Sequence, residues 1–353
     1  MDGMSMDETD KSNGANKNTQ AADAARRGTR TARRIALLTA GGDAPGMNAG
    51  IRAVVRTAVG AGLEVLGAQR GFEGLIYGNF EPLPNRSVSN ILQHGGTILE
   101  TSRTPEFGTE AGRTRSAENL RYRGVRGLIV MGGDGSLAAA RAFANDTAMR
   151  VMFIPATIDN DVPNTDFSIG FDTAVNTALQ AIDRIRDTAF ANDRLFFVEV
   201  MGRDSGFIAL SVAIGGGAEV VIVPEIPFDL EDMCRRIEES QLRGKRSSII
   251  VVSEGPRTGG AISIANSITE RLGMQSRVVV LGHIQRGGAP TARDRLLASR
   301  MGAAAVQALI NDKPSSLIGE VGGRIVEVPF EEVAKGPQPF DSELIDLVHL
   351  LSI

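Results

Sequence analysis

The chain contains no tryptophan, two tyrosines and one cysteine among its 353 residues. The scarcity of aromatic rings excludes the stacking platforms on which many proteins hold sugars or single-stranded bases, so we expect polar groups to hold the ligands. The single cysteine, Cys234, excludes an intrachain disulfide and a multi-cysteine metal site, and it is typical of a reducing compartment. We interpret it as an inert thiol on a helix face.

Neither sign of charge dominates, because 38 basic and 42 acidic residues give a net charge of −4. Without a basic excess we predict no general binding of nucleic acid. No apolar stretch is long enough to cross a membrane, and the run of residues 35–40 after Arg33 and Arg34 is too short for a signal-peptide core. We therefore predict a cytoplasmic protein without a nucleic-acid or membrane partner.

The first 33 residues contain no Val, Ile, Leu or Phe and are rich in polar and charged side chains. Such a segment cannot bury enough apolar surface to offset the entropy lost on ordering, so residues 1–33 are predicted to be a disordered tail. The rest of the chain is long enough for about two domains.

After the tail, short apolar runs alternate with longer segments of helical periodicity. Helices are predicted at 46–62 and, with a clear apolar face, from Thr173 to about Ala191. This alternation predicts an α/β fold with mostly parallel sheets covered by helices on both faces, and ligands at the carboxyl ends of the strands. Strands are predicted at 35–40, 63–68, 127–131, 151–155, 195–200, 220–223, 248–253 and 277–281.

The first strand is followed by a glycine-rich loop, Gly41 to Gly46, that runs directly into a helix. Backbone N–H groups at a helix start can bind phosphate. Asp43 stands where the dinucleotide fingerprint needs a glycine, and Met47 and Asn48 replace the Lys and Ser/Thr of a P-loop. Taken alone, the loop therefore leaves two interpretations, a phosphate-binding loop and a tight turn.

Two acidic loops follow the next strands. In the first, GGDGS at 132–136, the glycines let a polyphosphate approach the backbone and Asp134 can hold Mg²⁺. In the second, TIDND at 157–161, Asp159 and Asp161 can divide the roles of base and metal ligand. The alternatives are an Asp near a helix N-terminus and ordinary Asx turns. Together the loops favour a phosphoryl-transfer enzyme.

Basic side chains form a third group of candidates. Guanidinium groups bind phosphate oxygens in a bidentate manner, so several that converge would form a phosphate-ester site. Spacing alone does not show convergence, and an isolated arginine is usually a solvated surface residue. His283 lies in no metal-binding pattern, which favours a phosphate or structural role. The group comprises Arg194, Arg203, Arg277, His283 and Arg286.

The chain resembles the ATP-dependent 6-phosphofructokinase family, bacterial type, from about Arg34 to about Val328. The resemblance rests on eight segments in order: GGDAPGMNAGIR, TSRTPEF, GGDGS, TIDND, EVMGRDSGF, GGAE, SEG and LGHIQRGG. NAD kinases and lipid kinases share GGDG but are expected to lack the MGR and HIQRGG segments. The resemblance implies that MgATP donates its γ-phosphoryl group to the 1-hydroxyl of fructose 6-phosphate, giving fructose 1,6-bisphosphate and ADP in the committed step of glycolysis.

The resemblance also implies residue roles. Asp159 would be the general base, with Arg203 and Thr157 also catalytic, and Asp134 and Asp161 would hold Mg²⁺. The ATP-binding residues would be Gly42, Arg103, Thr104, Gly133, Asp134, Gly135 and Ser136. The substrate-binding residues would be Thr157, Ile158, Asp159, Arg194, Met201, Gly202, Arg203, Glu254, Arg277, His283 and Arg286.

An assembly and a domain division are implied in the same way. Arg194 and Arg277 match arginines that the family supplies from a neighbouring subunit, so a homotetramer with shared active sites is expected. The fold would comprise two Rossmann-like three-layer domains with the active site in the cleft between them. The ATP-binding domain would be 34–170 plus 285–335, and the fructose 6-phosphate domain 171–284 plus 336–353.

An effector site of the bacterial type is also implied, for a ligand such as ADP or phosphoenolpyruvate. The alternative is that the helix at 46–62 simply exposes arginines to solvent. Asn85 stands where the family pattern expects another arginine. The implied residues are Arg52, Arg56, Arg186, Gly217, Glu219, Arg243 and Lys245.

The phosphoryl donor depends on two small residues. Pyrophosphate-using relatives typically carry Asp at the position of Gly135 and Lys at that of Ala156, so this chain favours ATP. Phe72, Thr104 and Gly108 depart from the bacterial pattern, which typically has Tyr, Phe and Arg there. The alternatives are a pyrophosphate-dependent phosphofructokinase and an inactive regulatory subunit. The inactive subunit is disfavoured because both key aspartates and the arginines are present.

Overall fold

The computed structural model describes residues 34–189, 194–244, 247–255 and 257–351. Their strands form one sheet of eight strands and one of four, with helices between them, which confirms the predicted α/β class. The predicted disorder of residues 1–33 and the end of the helix predicted to about Ala191 lie outside the described residues. The division into two domains stays a prediction.

The eight predicted strands are present with bounds within two residues of the prediction. The strands of the larger sheet are β1 (Arg34–Thr39), β2 (Glu64–Ala68), β3 (Phe80–Pro82), β4 (Val125–Gly132), β5 (Arg150–Thr157), β6 (Ile169–Gly170), β11 (Ser316–Val321) and β12 (Arg324–Pro329). Those of the smaller sheet are β7 (Leu195–Val200), β8 (Val220–Ile222), β9 (Ser248–Ser253) and β10 (Ser276–Val280). The strands β3, β6, β11 and β12 were not predicted.

The helices follow the strands in the predicted alternation. In chain order they are α1 (Met47–Gly60), α2 (Phe72–Tyr77), α3 (Glu110–Tyr122), α4 (Asp134–Thr147), α5 (Phe171–Ala189), α6 (Phe207–Gly216), α7 (Leu230–Leu242), α8 (Gly260–Leu272), α9 (Ala292–Ile310) and α10 (Glu343–Leu351). Short 3-10 helices occupy Asn85–Val88, Pro105–Gly108 and Gly282–Arg286. Across the described ranges, no helix combines the length and apolar character needed to cross a bilayer.

The order of strands in the larger sheet is β12-β11-β5-β4-β1-β2-β3, with β6 paired to β5. The inner strands are parallel, whereas the β2–β3 and β11–β12 pairs are antiparallel. The chain leaves β1 towards β2 on one side and returns as β4 on the other, so the strand order reverses between β1 and β4. Such a reversal opens a crevice at the carboxyl ends of the strands, where ligands bind.

The smaller sheet has the order β10-β7-β9-β8 and is parallel throughout. Its central strands β7 and β9 therefore end at the same edge, next to the end of β10. The segments that leave this edge contain three of the predicted motifs, MGR, SEG and HIQRGG.

Apolar packing fixes the two sheets to each other. One buried cluster includes Ile154 of β5 and Val198 of β7, both fully buried. On the larger sheet, α1 and α9 pack so closely that a Cβ atom at Gly302 would lie 3.0 Å from the main-chain oxygen of Gly50.

Cys234 lies buried on α7, and burial raises the pKa of its thiol, which agrees with an inert residue.

Candidate active site

Strands β4 and β5 are neighbours in the larger sheet, so the loops after them meet. A Cβ atom at Gly133 would lie 3.3 Å from the Cβ atom of Thr157, so the loop after β4 passes close to the end of β5. Asp134 begins α4 with its side chain 55% exposed. The Thr157 hydroxyl accepts a hydrogen bond from the main-chain N–H of Asp159 at 3.2 Å. The two predicted acidic loops therefore form one site.

Asp159 is buried, at 6% exposure, and its Oδ1 atom has no hydrogen-bond partner among the described residues. Burial raises the pKa of its carboxyl above the ordinary value, and Glu254 raises it further, while Arg286 and Arg203 act in the opposite direction. A buried, unpartnered carboxylate is costly unless a ligand completes its hydrogen bonds. Asp159 is therefore placed as a proton acceptor would be.

Asp161 lies beside it in a crowded acidic environment. Burial, together with the carboxylates of Asp134 and Asp159, raises the pKa of Asp161 to about 7. Its Oδ1 atom is also buried without a hydrogen-bond partner in the described chain. A bound cation would relieve both the repulsion and the lack of a partner.

The residue between the two aspartates gives the loop its shape. Asn160 has a left-handed backbone conformation with φ +53°, which asparagine tolerates better than most residues. Its side chain donates to the carbonyl of Asp166 at 3.0 Å and accepts from the N–H of Ser168 at 2.7 Å. These two bonds hold the turn, so Asp159 and Asp161 have fixed positions.

The smaller sheet contributes Arg203 from the loop after β7. Its Nη1 atom lies 3.5 Å from Oδ1 of Asp134, across the gap between the two sheets. Its backbone has φ +58°, an uncommon conformation for a long side chain, and its N–H donates to Oε1 of Glu254 at 3.3 Å. A strained residue held at a cleft is typical of functional sites.

Two polar residues that sequence patterns did not indicate connect these loops. The Ser205 hydroxyl donates to the main-chain oxygen of Asp159 at 2.9 Å. Gln285 is fully buried, and its Oε1 atom accepts from the N–H of Met201 at 2.8 Å. Ser205 lies inside the EVMGRDSGF segment and Gln285 inside HIQRGG, so the motifs themselves were the only available signal.

Arg286 brings the glycine-rich loop after β1 into the site. Its Nη1 atom donates to the main-chain oxygen of Asp43 at 3.3 Å. A Cβ atom at Gly42 would lie 2.4 Å from the same nitrogen, so a side chain there would displace the guanidinium. Five loops, those after β1, β4, β5, β7 and β10, therefore converge, and the loop after β9 adds Glu254.

Several other residues indicated by the sequence differ in their exposure and local contacts. Ile158 is fully buried, whereas His283 and Arg103 are exposed to solvent. Thr104 makes a hydrogen bond to Ser102 at 2.9 Å. Phe72 is buried and stacks on Phe107 with ring centroids 4.1 Å apart, so in this chain it is a core residue.

Arg194 and Arg277 are not brought to this centre within one chain. Arg194 precedes β7 and Arg277 lies near the start of β10, so both lie at the amino ends of these strands. Arg203 and Glu254 lie at the carboxyl ends of the strands of the same sheet. Arg277 is exposed, and its Nη1 atom donates to the main-chain oxygen of Ser276 at 3.0 Å.

The predicted effector residues fall into separate places. Arg186 donates to the main-chain oxygens of Gly216 and Gly217 at 2.5 and 2.8 Å. Glu219 and Arg243 line a cavity of about 160 Å³. Arg56 lines another cavity, of about 470 Å³, together with Asn85, Arg86 and Ser89, and Arg52 lies half-buried on the same helix. Lys245 lies outside the described residues.

The carboxylates at the centre fit a magnesium ion better than a transition metal. No cluster of three metal-ligating side chains occurs in the described ranges. Mg²⁺ is commonly held by one or two carboxylates together with water and substrate phosphates, and the unpartnered oxygen of Asp161 suits such a role. Asp134 and Asp161 also line one cavity of about 440 Å³.

Comparison with known proteins places this geometry in context. A family model described as phosphofructokinase matches residues 34–309. The chain is 52% identical over 321 residues to ATP-dependent 6-phosphofructokinase 1 of Thermus thermophilus, which covers 91% of this chain and 100% of that protein. It is 49% identical over 318 residues to the ATP-dependent 6-phosphofructokinase of Clostridium acetobutylicum, with coverage of 90% and 99%.

Solved structures show the same fold. The T-state phosphofructokinase of Pichia pastoris has a TM-score of 0.82 at 32% identity over 86% of this chain, which spans 36% of the yeast chain's length. The pyrophosphate-dependent phosphofructokinase of Marinobacter aquaeolei has a TM-score of 0.78 at 24% identity, with coverage of 88% and 86%.

Proposed function

Since this chain belongs to the phosphofructokinase family, we propose that it transfers the γ-phosphoryl group of ATP to the 1-hydroxyl of fructose 6-phosphate. The products are fructose 1,6-bisphosphate and ADP, in the committed step of glycolysis, and the protein works in the cytoplasm. The observation that carries the proposal is the buried carboxylate of Asp159, whose Oδ1 atom has no hydrogen-bond partner among the described residues, with Arg203 and Arg286 close enough to affect its pKa.

Asp159 takes the proton of the attacking hydroxyl. The oxygen of that hydroxyl forms a bond to the γ-phosphorus, the bond from phosphorus to the bridging oxygen of ADP breaks, and the proton passes to the Asp159 carboxylate. Burial raises the pKa of Asp159, which makes the carboxylate a stronger base than an exposed aspartate. Thr157 accepts the N–H bond that holds this loop in position.

Arg203 neutralises the charge that spreads over the transferring phosphoryl group. Its guanidinium faces Asp134 across the gap between the sheets, so it is oriented before substrate binds. Asp134 and Asp161 would hold Mg²⁺, which shields the negative charges of the two outer phosphates of ATP.

The nucleotide and the sugar phosphate occupy opposite sides of the centre. On the nucleotide side, the start of α4 offers backbone N–H groups to the phosphates. The residues there are Gly42, Arg103, Thr104, Gly133, Asp134, Gly135 and Ser136, in the proposed domain 34–170 plus 285–335. On the sugar side, Ile158 is fully buried and precedes Asp159 in the chain. The remaining sugar-side residues are Met201, Gly202, Glu254, His283 and Arg286, of which Arg286 and His283 hold the 6-phosphate.

A second copy of the chain completes the site. Arg194 and Arg277 lie away from their own chain's centre, so their role would be to bind the 6-phosphate of a neighbouring copy. This arrangement supports a homo-oligomer, and we propose a tetramer. An oligomer of this kind makes activity depend on assembly.

The effector site has a specific feature in this chain. Asn85 cannot supply the positive charge expected at its position, but Arg86 lines the same cavity with Arg56 and Ser89. We infer that Arg86 supplies that charge to an anionic effector. The other predicted effector residues lie at the cavity of about 160 Å³. Glu219 and Arg243 line it, near the carbonyls that Arg186 contacts.

A coupled assay with fructose 6-phosphate tests the function, first with ATP and then with pyrophosphate as the donor. We expect turnover with MgATP and much slower turnover with pyrophosphate. Faster turnover with pyrophosphate would assign the chain to the pyrophosphate-dependent enzymes. No turnover with either donor, in a protein that still binds both ligands, would identify an inactive regulatory subunit.

A further inference from the structure

A cavity of about 440 Å³ lies beside the proposed cation ligands. Its lining includes two carboxylates, Asp134 and Asp161, and two cationic side chains, Arg141 and Lys335. The mechanism above uses the two carboxylates but gives no role to the two cations. Neither cationic side chain makes an ion pair or hydrogen bond with any described residue.

Arg141 reaches this cavity because of the helical repeat. Leu137 and Ala138 follow Asp134 by three and four residues along α4, and Arg141 follows them by four and three. The four residues therefore lie on one face of the helix, and all four line the cavity. Arg141 therefore lies on the same side of the helix as the metal-binding carboxylate, two turns further along.

Lys335 reaches the cavity on a short segment that we call the clasp, residues 334–338. Hydrogen bonds at its two ends tie the clasp to the loop after β5. The N–H of Ala334 donates to Oδ1 of Asn164 at 2.7 Å, and the N–H of Gln338 donates to the main-chain oxygen of Asp161 at 3.1 Å. The side chain of Gln338 adds a bond to the carbonyl of Thr165 at 2.9 Å. The clasp is thus fixed against the cation loop.

The charges around the cavity indicate the ligand. Two carboxylates and two cations sum to zero, so a divalent cation held by Asp134 and Asp161 would leave a charge of about +2, which a dianion would balance. Guanidinium and ammonium groups are the usual partners of phosphate oxygens. An oxyanion there would bind Arg141 and Lys335 on one side and the cation on the other.

We propose that Arg141 and Lys335 form a site for inorganic phosphate that fills when a divalent cation is bound by Asp134 and Asp161. The inference rests on the cation site of the proposed function. Phosphate and the cation then raise each other's affinity by the same factor, because such coupling is reciprocal. Free phosphate thereby regulates how tightly the enzyme binds its cation.

Phosphorus NMR of the full chain with Mn²⁺ tests this site. Saturating fructose 6-phosphate keeps inorganic phosphate away from the sugar-phosphate site, and ADP is added in a second arm. A phosphate bound next to paramagnetic Mn²⁺ gives a strongly broadened signal. We expect broadening in both arms, and none when Ca²⁺, which is diamagnetic, replaces Mn²⁺.

Two variants and a matched control locate the anion. Lys335→Met and Arg141→Gln are each expected to weaken phosphate affinity about tenfold, the loss of one charge-assisted contact. Lys313→Met is the control, because Lys313 is an exposed lysine next to the Arg150–Asp312 pair at the amino end of β5. Without phosphate, Lys335→Met should bind Mn²⁺ at least as tightly as the wild type, whereas general damage to the loop would weaken both ligands.

Three outcomes would overturn the inference: no cation-dependent phosphate binding, unchanged affinity in both variants, or displacement of phosphate by ADP. Displacement would show that the anion position belongs to the nucleotide. Because phosphate binding is measured without turnover, an enzyme that uses ATP but binds no phosphate would refute this inference alone. A chain that binds phosphate but lacks kinase activity would refute only the proposed function.

Discussion

The hydroxyl of Ser205 donates a hydrogen bond of 2.9 Å to the main-chain oxygen of Asp159. The bond joins the loop after β7 in the smaller sheet to the loop after β5 in the larger one. Ser205 is itself held by the Ser253 hydroxyl, which donates to its carbonyl at 3.0 Å. The proposed base is therefore positioned by residues of both sheets, and the orientation of its carboxylate depends on the hydrogen bonds between their loops.

Removal of this hydroxyl should impair the chemical step more than substrate binding. In Ser205→Ala we expect kcat to fall about ten- to a hundredfold, because small displacements of a reacting group are costly, while KM for fructose 6-phosphate changes little. Ser299→Ala serves as the control, since among the described residues that hydroxyl bonds within α9, to the carbonyl of Arg295. Steady-state kinetics would contradict the positioning role if kcat stayed normal or if only KM rose.

Asp159 itself should be indispensable for turnover. In Asp159→Asn the side chain keeps its size but cannot accept the proton, so we expect turnover to fall a hundred- to ten-thousandfold, the range of about 10²–10⁴ for a positioned base. Binding of fructose 6-phosphate, measured by calorimetry, should be nearly intact. Near-normal turnover would overturn the assignment of the base.

Substitution of Gly135 should test why the enzyme uses ATP as its phosphoryl donor. A Cβ atom at this position meets no atom within 4 Å, so Gly135→Asp is accommodated without a clash. A carboxylate at the start of α4 should not lower stability, but it should repel the phosphates of ATP and raise KM for ATP about tenfold or more. Gly135→Asn, of equal size and without charge, separates repulsion from bulk. Equal effects of the two substitutions would exclude the electrostatic explanation.

The sequence predicted the centre of the site better than its surroundings. Gly133 and Asp159 could be placed together, because they follow strands expected to be neighbours in a parallel sheet. Gln285 could not be predicted in this way, since a single amide has no periodicity or charge pattern. It contacts Met201 because β7 and β10 are neighbours in the smaller sheet. Arg86, which we propose as an effector contact, was not indicated by the sequence, because the family position falls on its neighbour Asn85 and only the structure shows that both residues line one cavity.

Arg203 should show a conflict between stability and activity. Its φ of +58° costs a residue with a Cβ atom about 1 kcal/mol, and glycine avoids that cost. We therefore expect Arg203→Ala to be less stable than Arg203→Gly by up to about 1 kcal/mol, with part of the gain offset by the backbone entropy of glycine. Both variants should lose turnover, because both lack the guanidinium that faces Asp134. Equal stability of the two, measured by chemical unfolding, would contradict backbone strain.

Asp294 should make stability depend on pH in an unusual direction. The residue is buried, and its carboxylate accepts bonds from the N–H groups of Gly170 and Thr173 at 2.9 Å each. Burial raises its pKa from 3.8 to about 6, although the hydrogen bonds from Thr173 and Gly170 lower it. The folded state thus holds this proton more tightly than the unfolded state does.

Its contribution to stability is therefore fully present below about pH 4 and is lost as the pH rises through about 6. The shift corresponds to roughly 3 kcal/mol at about 1.4 kcal/mol per pKa unit. In Asp294→Asn the group no longer titrates, so the wild type should lose about that much unfolding free energy relative to the variant between pH 4 and pH 7. Asp312→Asn, which removes an exposed partner of Arg150, should change stability by less than about 1 kcal/mol at both values. A difference between wild type and Asp294→Asn that stays constant with pH would show that Asp294 titrates alike in both states.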